Sequence, residues 1–219
     1  MTVNRGGGPD GGPSPPIRMQ TKALRELAEI RTGYPFRGGV DRVPEGGCLL
    51  VQAGNIDGEA GDLTGEPTRI VTPSNFREHV LHFADVLLIA RGPRNDAATY
   101  TWGDGVAVAA SHLMILRTAG RISFPDYLTW FLNLPATQAK IRAMRSESTV
   151  PFVSVEALGR LRVPVPSFDA QNAIAGIQKL STQEQRLMEQ LRRQRRVYVD
   201  GLLMEAVQRG CGGHGTNNQ

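Results

Sequence analysis

Apolar and polar positions change their rhythm twice along this chain. Between Thr21 and Ile30 the sequence T-K-A-L-R-E-L-A-E-I sets Leu24, Leu27 and Ile30 at helical spacing, with Thr21 placed to cap the first turn. This spacing predicts a short amphipathic helix, ended by Gly33-Tyr34-Pro35. Apolar runs of strand length come next, at residues 48–53, 85–90, 106–110 and 113–117, each bounded by turn residues. Glycine-rich loops part them, as at 55–65 and at Gly103-Asp104-Gly105. Helical rhythm returns at Pro125-Asp126-Tyr127, opening a helix over 127–133 that buries Leu128, Phe131 and Leu132. Pro135 then suits the first turn of a second helix over 136–145. Strands first and helices after is the order of an α+β domain, here with a mixed, mainly β head.

The second change follows the extended Pro164-Val165-Pro166 segment. One helical pattern runs from residue 168 to 208, whereas globular helices usually run about 8–20 residues. Its apolar positions are Ile174, Ile177, Leu180, Leu187, Leu191, Tyr198 and Leu202. From Ile177 to Leu202 they approximate the 3-4 alternation of a coiled coil, with Glu184 and Gln194 or Arg195 at the interrupting seam positions. A helix this long buries its stripe against another long helix. The expected organisation is therefore a disordered leader (1–19), a head domain (20–167), a helical stalk for dimerisation or partner binding (168–208) and a disordered tail (209–219).

Composition adds constraints. The 219 residues suffice for one ordinary domain and an appendage, and a 40% hydrophobic content supplies a core. The net charge is only +4, but Lys22, Lys140 and Lys179 are the sole lysines, so the basic surface is nearly all arginine. Arginine presents a planar fork suited to phosphates and guanine edges. A codon-biased genome gives the same composition, so nucleic-acid binding is permitted, not established. Cys48 and Cys211 form no ligand spacing, and His79, His82, His112 and His214 are scattered. No apolar run reaches the length of a membrane span. Residues 1–16 lack the apolar segment of a signal peptide, so the expected location is the cytoplasm.

Catalytic constellations do not emerge. There is no phosphate-binding loop with a G-K-[ST] ending, and the glycine runs at 6–8 and 11–12 lie in the leader. No methyltransferase-like Asp/Asn-Pro-Pro-Tyr motif or paired-carboxylate nuclease motif is found. Asp62, Asp85, Asp96 and Asp104 fall where turn formation explains them. Ser111-His112 are read as strand neighbours, which point to opposite faces. The expectation is a non-catalytic binding protein without a cofactor of its own.

Four phrases then carry a resemblance: Asp85-Val86-Leu87-Leu88-Ile89-Ala90-Arg91-Gly92, Ala110-Ser111-His112-Leu113, the helix phrase from Pro125 to Asn133, and Val163-Pro164-Val165-Pro166 leading to Gln171 and Ile174. Their order and spacing across residues 20–205 resemble a target-recognition domain and its helix in the specificity subunits of type I restriction-modification systems. Two departures stand out. Ser146-Glu147-Ser148-Thr149 lacks the glycine usual beside Ser/Thr in that loop. Complete specificity subunits also contain two recognition domains and two long helices, against one of each here.

The resemblance implies a half-length, non-catalytic DNA-recognition subunit. It would direct a separate adenine methyltransferase, which binds S-adenosylmethionine, and in a restricting complex a translocating nuclease, to a bipartite site. Its expected partners are double-stranded DNA, the modification subunit and a second copy through Ile177, Leu180, Leu187, Leu191, Tyr198 and Leu202. The competing expectation is a truncated or orphan subunit serving as an adaptor through its helix. Groove recognition needs loops bearing forks, amides and hydroxyls. Tyr34 and Arg37, then Arg91, Arg94 and Asn95, then Arg142, Arg145, Ser148 and Thr149 meet that description.

Overall fold

The computed structural model describes residues 20–36, 38–103, 105–118 and 125–211. The expected leader, Arg37, Asp104 and residues 212–219 lie outside them. In chain order the strands are β1 (Gln20–Ala23), β2 (Ala28–Thr32), β3 (Cys48–Val51), β4 (Ile56–Asp57), β5 (Asp62–Leu63), β6 (Thr68–Ile70), β7 (Val86–Ile89), β8 (Ala97–Thr99), β9 (Ala107–Ala109) and β10 (Leu113–Thr118). Helices α1 (Pro125–Asn133), α2 (Pro135–Ala143) and α3 (Val155–Gly159) follow, then β11 (Arg162–Val165) and α4 (Phe168–Cys211).

The centre is a four-stranded antiparallel sheet in the order β2-β10-β7-β8. Its strand β7, Val86-Leu87-Leu88-Ile89, carries no polar residue because both faces are covered. Val86 and Leu88, with Met114 and Leu116, pack among Leu128, Leu132, Leu158 and Val163 on the helical side. Leu87 and Ile89, with Leu113 and Ile115, pack instead against Leu49, Val51, Ala107 and Ala109 of a second sheet, β6-β3-β9. That sheet is mixed: β3 runs parallel to β9 and antiparallel to β6. Its outer face holds Cys48, Leu50 and Val108 under Tyr34, Phe36 and Phe76. Continuous apolar runs are what doubly covered strands require.

The helix expected at 21–30 is not formed. β1 pairs with β11, a 3-10 turn covers Leu24–Glu26, and β2 pairs with β10. Leu24 and Leu27 are fully buried at that turn. A period of three served a 3-10 corner as well as a helix, and two long-range ladders outweigh a ten-residue helix that is marginal by itself. Ser111 and His112 occupy a turn before β10, not a strand. The sequence reading also missed α3, capped where the Ser154 hydroxyl accepts the Ala157 N–H at 3.1 Å. At the far end α4 continues through Arg209–Cys211, where a tail was expected.

The first third of α4 lies against the head. Ile174 packs into the helical-side core, and the Gln171 side chain donates to the Pro166 carbonyl at 3.1 Å. Thr182 is buried, and Arg186 approaches Asp62 at 3.6 Å and Asp57 at 3.9 Å. Among the described residues no helix is long and apolar enough to cross a membrane.

Candidate nucleic-acid interface

Register places several strand ends at one end of the head. Thr32 of β2 pairs with Met114, Ile89 of β7 with Leu113, and Val51 of β3 with Ala109. The segments leaving β2, β3, β7 and β9 there carry Tyr34, Ala53, Arg91–Asn95 and His112. The segment after α2 joins them, because Arg91 forms a β-bridge with Phe152 and the Val153 N–H donates to the Ala90 carbonyl at 2.9 Å.

Most of the sequence-chosen residues meet in this loop system, in unequal roles. Arg91 is exposed, with its guanidinium carbon 5.5 Å from the centre of the Phe152 ring. Arg94 is also exposed, but donates to the Ala53 carbonyl at 3.0 Å and pairs with Asp96 at 3.1 Å. Asn95 turns inward. It is 1% exposed, donates to the Ile89 carbonyl at 2.8 Å and accepts from Arg145 Nε at 2.6 Å. Arg145 also donates to the Pro93 carbonyl at 3.0 Å. Arg142 and Thr149 are exposed, as is Ser148, whose hydroxyl lies 2.8 Å from that of Ser146 and 2.8 Å from the Val150 carbonyl. Tyr34 stands at the same end but apart from the loop system. Its half-buried ring meets Phe36 edge-on at 4.7 Å and His79 at 5.3 Å.

Three contributors escaped the sequence reading. Gln138 of α2 is buried and donates to the carbonyls of Asn95 at 2.9 Å and Leu132 at 2.8 Å. Phe152 supplies the ring under Arg91; the only local signal is Pro151 before it, which favours extended backbone. His112 accepts the Ala53 N–H through Nε2 at 2.9 Å, and burial pushes its pKa below the usual histidine value. One residue, Ala53, is thus held by His112 on its N–H and by Arg94 on its carbonyl. Gly33 allows β2 to leave beside β9: a Cβ there would lie 2.2 Å from the Ala110 carbonyl oxygen.

A second surface is apolar. Ile177, Leu180, Leu187, Leu191 and Tyr198 are between 57% and 68% exposed, and Leu202 is 45% exposed. At 100° per residue these six stay within one narrow stripe, opposite the Gln178, Thr182 and Arg186 side that meets the head.

No family profile and no curated protein matches the sequence. Solved structures do match in shape. A chain of a type I R-M system, solved for its complex assembly and conformational transition, aligns with a TM-score of 0.66 at 16% identity, over 89% of this chain and 46% of that one. The HsdS subunit from Thermoanaerobacter tengcongensis aligns with a TM-score of 0.53 at 17% identity, over 81% and 40%. The type I restriction-modification S subunit from M. genitalium aligns with a TM-score of 0.52 at 15% identity, over 81% and 42%. This chain therefore has the fold of type I restriction-modification S subunits, a β-rich head followed by a long helix. It spans less than half the length of the structures it matches.

Proposed function

We propose that this chain is the DNA-recognition component of a type I-like restriction-modification complex and performs no catalysis itself. One observation carries this reading: arginine-bearing loops gather at one end of a head that has the S-subunit fold. Arg91 and Arg142 offer forks to groove edges or phosphates, Arg94 adds charge beside them while bound to Ala53 and Asp96, and Ser148 and Thr149 serve as hydroxyl donors. Asn95 and Arg145 shape the loop, and Tyr34 stands at the same end of the head. A separate subunit carries S-adenosylmethionine and transfers the methyl group to adenine; a translocating nuclease joins where the system restricts.

The stripe on α4 is the second half of the proposal. Two copies pair antiparallel, burying Ile177, Leu180, Leu187, Leu191, Tyr198 and Leu202 of each and setting the heads at opposite ends. A helix of 44 residues extends about 66 Å at 1.5 Å per residue, close to two turns of duplex. The dimer then reads two inverted half-sites at a fixed gap.

The test is purification of the full chain with its bound partners, followed by duplex binding across a salt series. Affinity should fall linearly on a log–log plot. Methyl transfer should require the partner and be absent from the chain alone. Copurification with a methyltransferase but no sequence preference in DNA binding would favour the adaptor role instead.

A further inference from the structure

We propose that Arg91, seated on the Phe152 ring, reads a guanine edge, and that Asn95, Gln138 and Arg145 are the positioning residues that hold it in place. The inference rests on the DNA-recognition reading above and assigns the side chain that supplies sequence preference.

The arginines of this loop system are not equivalent. Arg94 and Arg145 each commit two guanidinium nitrogens to partners within the protein. Arg91 has no ion pair or side-chain hydrogen bond among the described residues. Its backbone is nevertheless among the best held in the loop. The Arg91 N–H donates to the His112 carbonyl at 3.3 Å, the residue bridges to Phe152, and the next N–H, of Gly92, donates to the Pro151 carbonyl at 3.2 Å. Gly92 has φ of +123°, a conformation that suits glycine and turns the chain away just after Arg91.

A cation–π contact with an aromatic face draws a guanidinium to one place without using any of its N–H donors. An exposed, restrained fork with open donors matches two acceptors lying side by side in one plane. In the major groove that pattern is N7 and O6 of guanine; adenine places a donor beside its N7, and cytosine offers a donor. A phosphate would be bound as well by a lysine or by an unstacked arginine, so the ring platform favours the base edge.

The platform is fixed from beneath. Phe152 exchanges hydrogen bonds with Ser146: its N–H donates to the hydroxyl at 3.2 Å, and its carbonyl accepts the Ser146 N–H at 2.9 Å. On the other side of Arg91, Asn95 ties the loop to the Ile89 carbonyl, while Gln138 and Arg145 tie it to the end of α2. Buried polar networks whose members are paired hold one geometry.

The experiment selects duplexes from a randomised library with the full chain. It then measures affinity for the enriched duplex and for single-base replacements, reading the ratio between them. Replacing one guanine should weaken wild-type binding by roughly 5- to 150-fold. In Arg91→Lys that ratio should shrink markedly at the same position, since an ammonium lacks the fixed planar fork that meets both acceptors. Phe152→Leu and Arg145→Met should shrink the ratio too; general loss of folded protein lowers both affinities together and leaves the ratio standing. An unchanged ratio in Arg91→Lys overturns the assignment while DNA recognition survives. An unchanged ratio in Arg145→Met overturns its positioning role. If the wild-type chain enriches no sequence, the DNA-recognition reading fails first, and this inference with it.

Discussion

The head and the stalk are built from the same apolar residue types and dispose of them in opposite ways. In the head, Val86, Leu87, Leu88 and Ile89 are all buried, because the chain covers both faces of its own sheet. On α4, leucines and valines from Ile177 to Val207 stand in solvent at 41% exposure or more. The head buries its sheet residues within one chain. The chain leaves the stripe of its stalk uncovered, and under the proposed pairing the order of α4 and the subunit count are linked. Separate perturbations should therefore move separate observables.

The largest effect is expected on association. Leu187→Asp/Leu191→Asp places charges in the stripe of both copies. Burying a leucine stabilises by about 1.5–3 kcal/mol, and four are lost per dimer. The dissociation constant should rise more than about 1,000-fold in sedimentation. Thermal unfolding of the head should stay put, because both side chains lie on the face turned from it. A wild type that remains monomeric at tens of micromolar, alone or with the proposed methyltransferase partner added, would remove the homodimer.

Next in size is a change confined to the head. Asp85 is 2% exposed and accepts from Arg117 Nε at 2.8 Å and Nη2 at 2.6 Å, and from the His82 N–H at 2.8 Å. Removing one member of a buried pair costs about 3–5 kcal/mol, and the partial exposure of Arg117 lowers this to about 2–3 kcal/mol for Asp85→Ala. Denaturant midpoints measure it. Association through α4 should be unaffected; a joint loss would mean that the two regions are not separable.

These two variants also show what the sequence could and could not disclose. Strands β3, β7, β9 and β10 were legible as apolar runs, and α1, α2 and α4 as helical periods, because apolar residues gathered in a run or on one face leave a pattern in the chain whether or not the chain itself covers them. The corner at Leu24–Glu26 was not, since its period of three fits a helix equally and its decisive partners lie beyond residue 112. Asp85 read as a turn former because Arg117 is 32 residues away. The arginine-bearing loops were identifiable as such. Whether Asn95 points out or in depends on Arg145, 50 residues on, and no local signal reports that.

A smaller effect follows from acidification. Burial lowers the His112 pKa, and its neutral ring accepts the Ala53 N–H. A base whose folded pKa lies below its unfolded value stabilises the fold fully above about pH 6.5, and that stability is lost as pH falls through the folded value. The wild-type head should therefore lose stability on acidification relative to His112→Gln, whose amide oxygen can accept the same N–H without titrating. Parallel pH profiles for the two proteins would contradict it. The stalk has no part in this difference.

The smallest effect sets two glycines against each other. Gly33 is fixed by packing, because a Cβ there would lie 2.2 Å and 2.5 Å from the carbonyl oxygens of Ala110 and Ala109. Gly201 lies inside α4 with nothing within 4 Å of its would-be Cβ. In the helix interior a glycine costs about 1 kcal/mol relative to alanine, mostly as backbone entropy. Gly201→Ala should therefore stabilise α4 by about that amount and tighten the dimer slightly, since each copy orders its helix at lower cost. The head should not respond. Helical content by circular dichroism and the dimer constant by sedimentation check the two halves of the expectation. A weaker dimer despite greater helicity would give Gly201 a packing role like that of Gly33: the partner helix would have to approach so closely there that a methyl group does not fit.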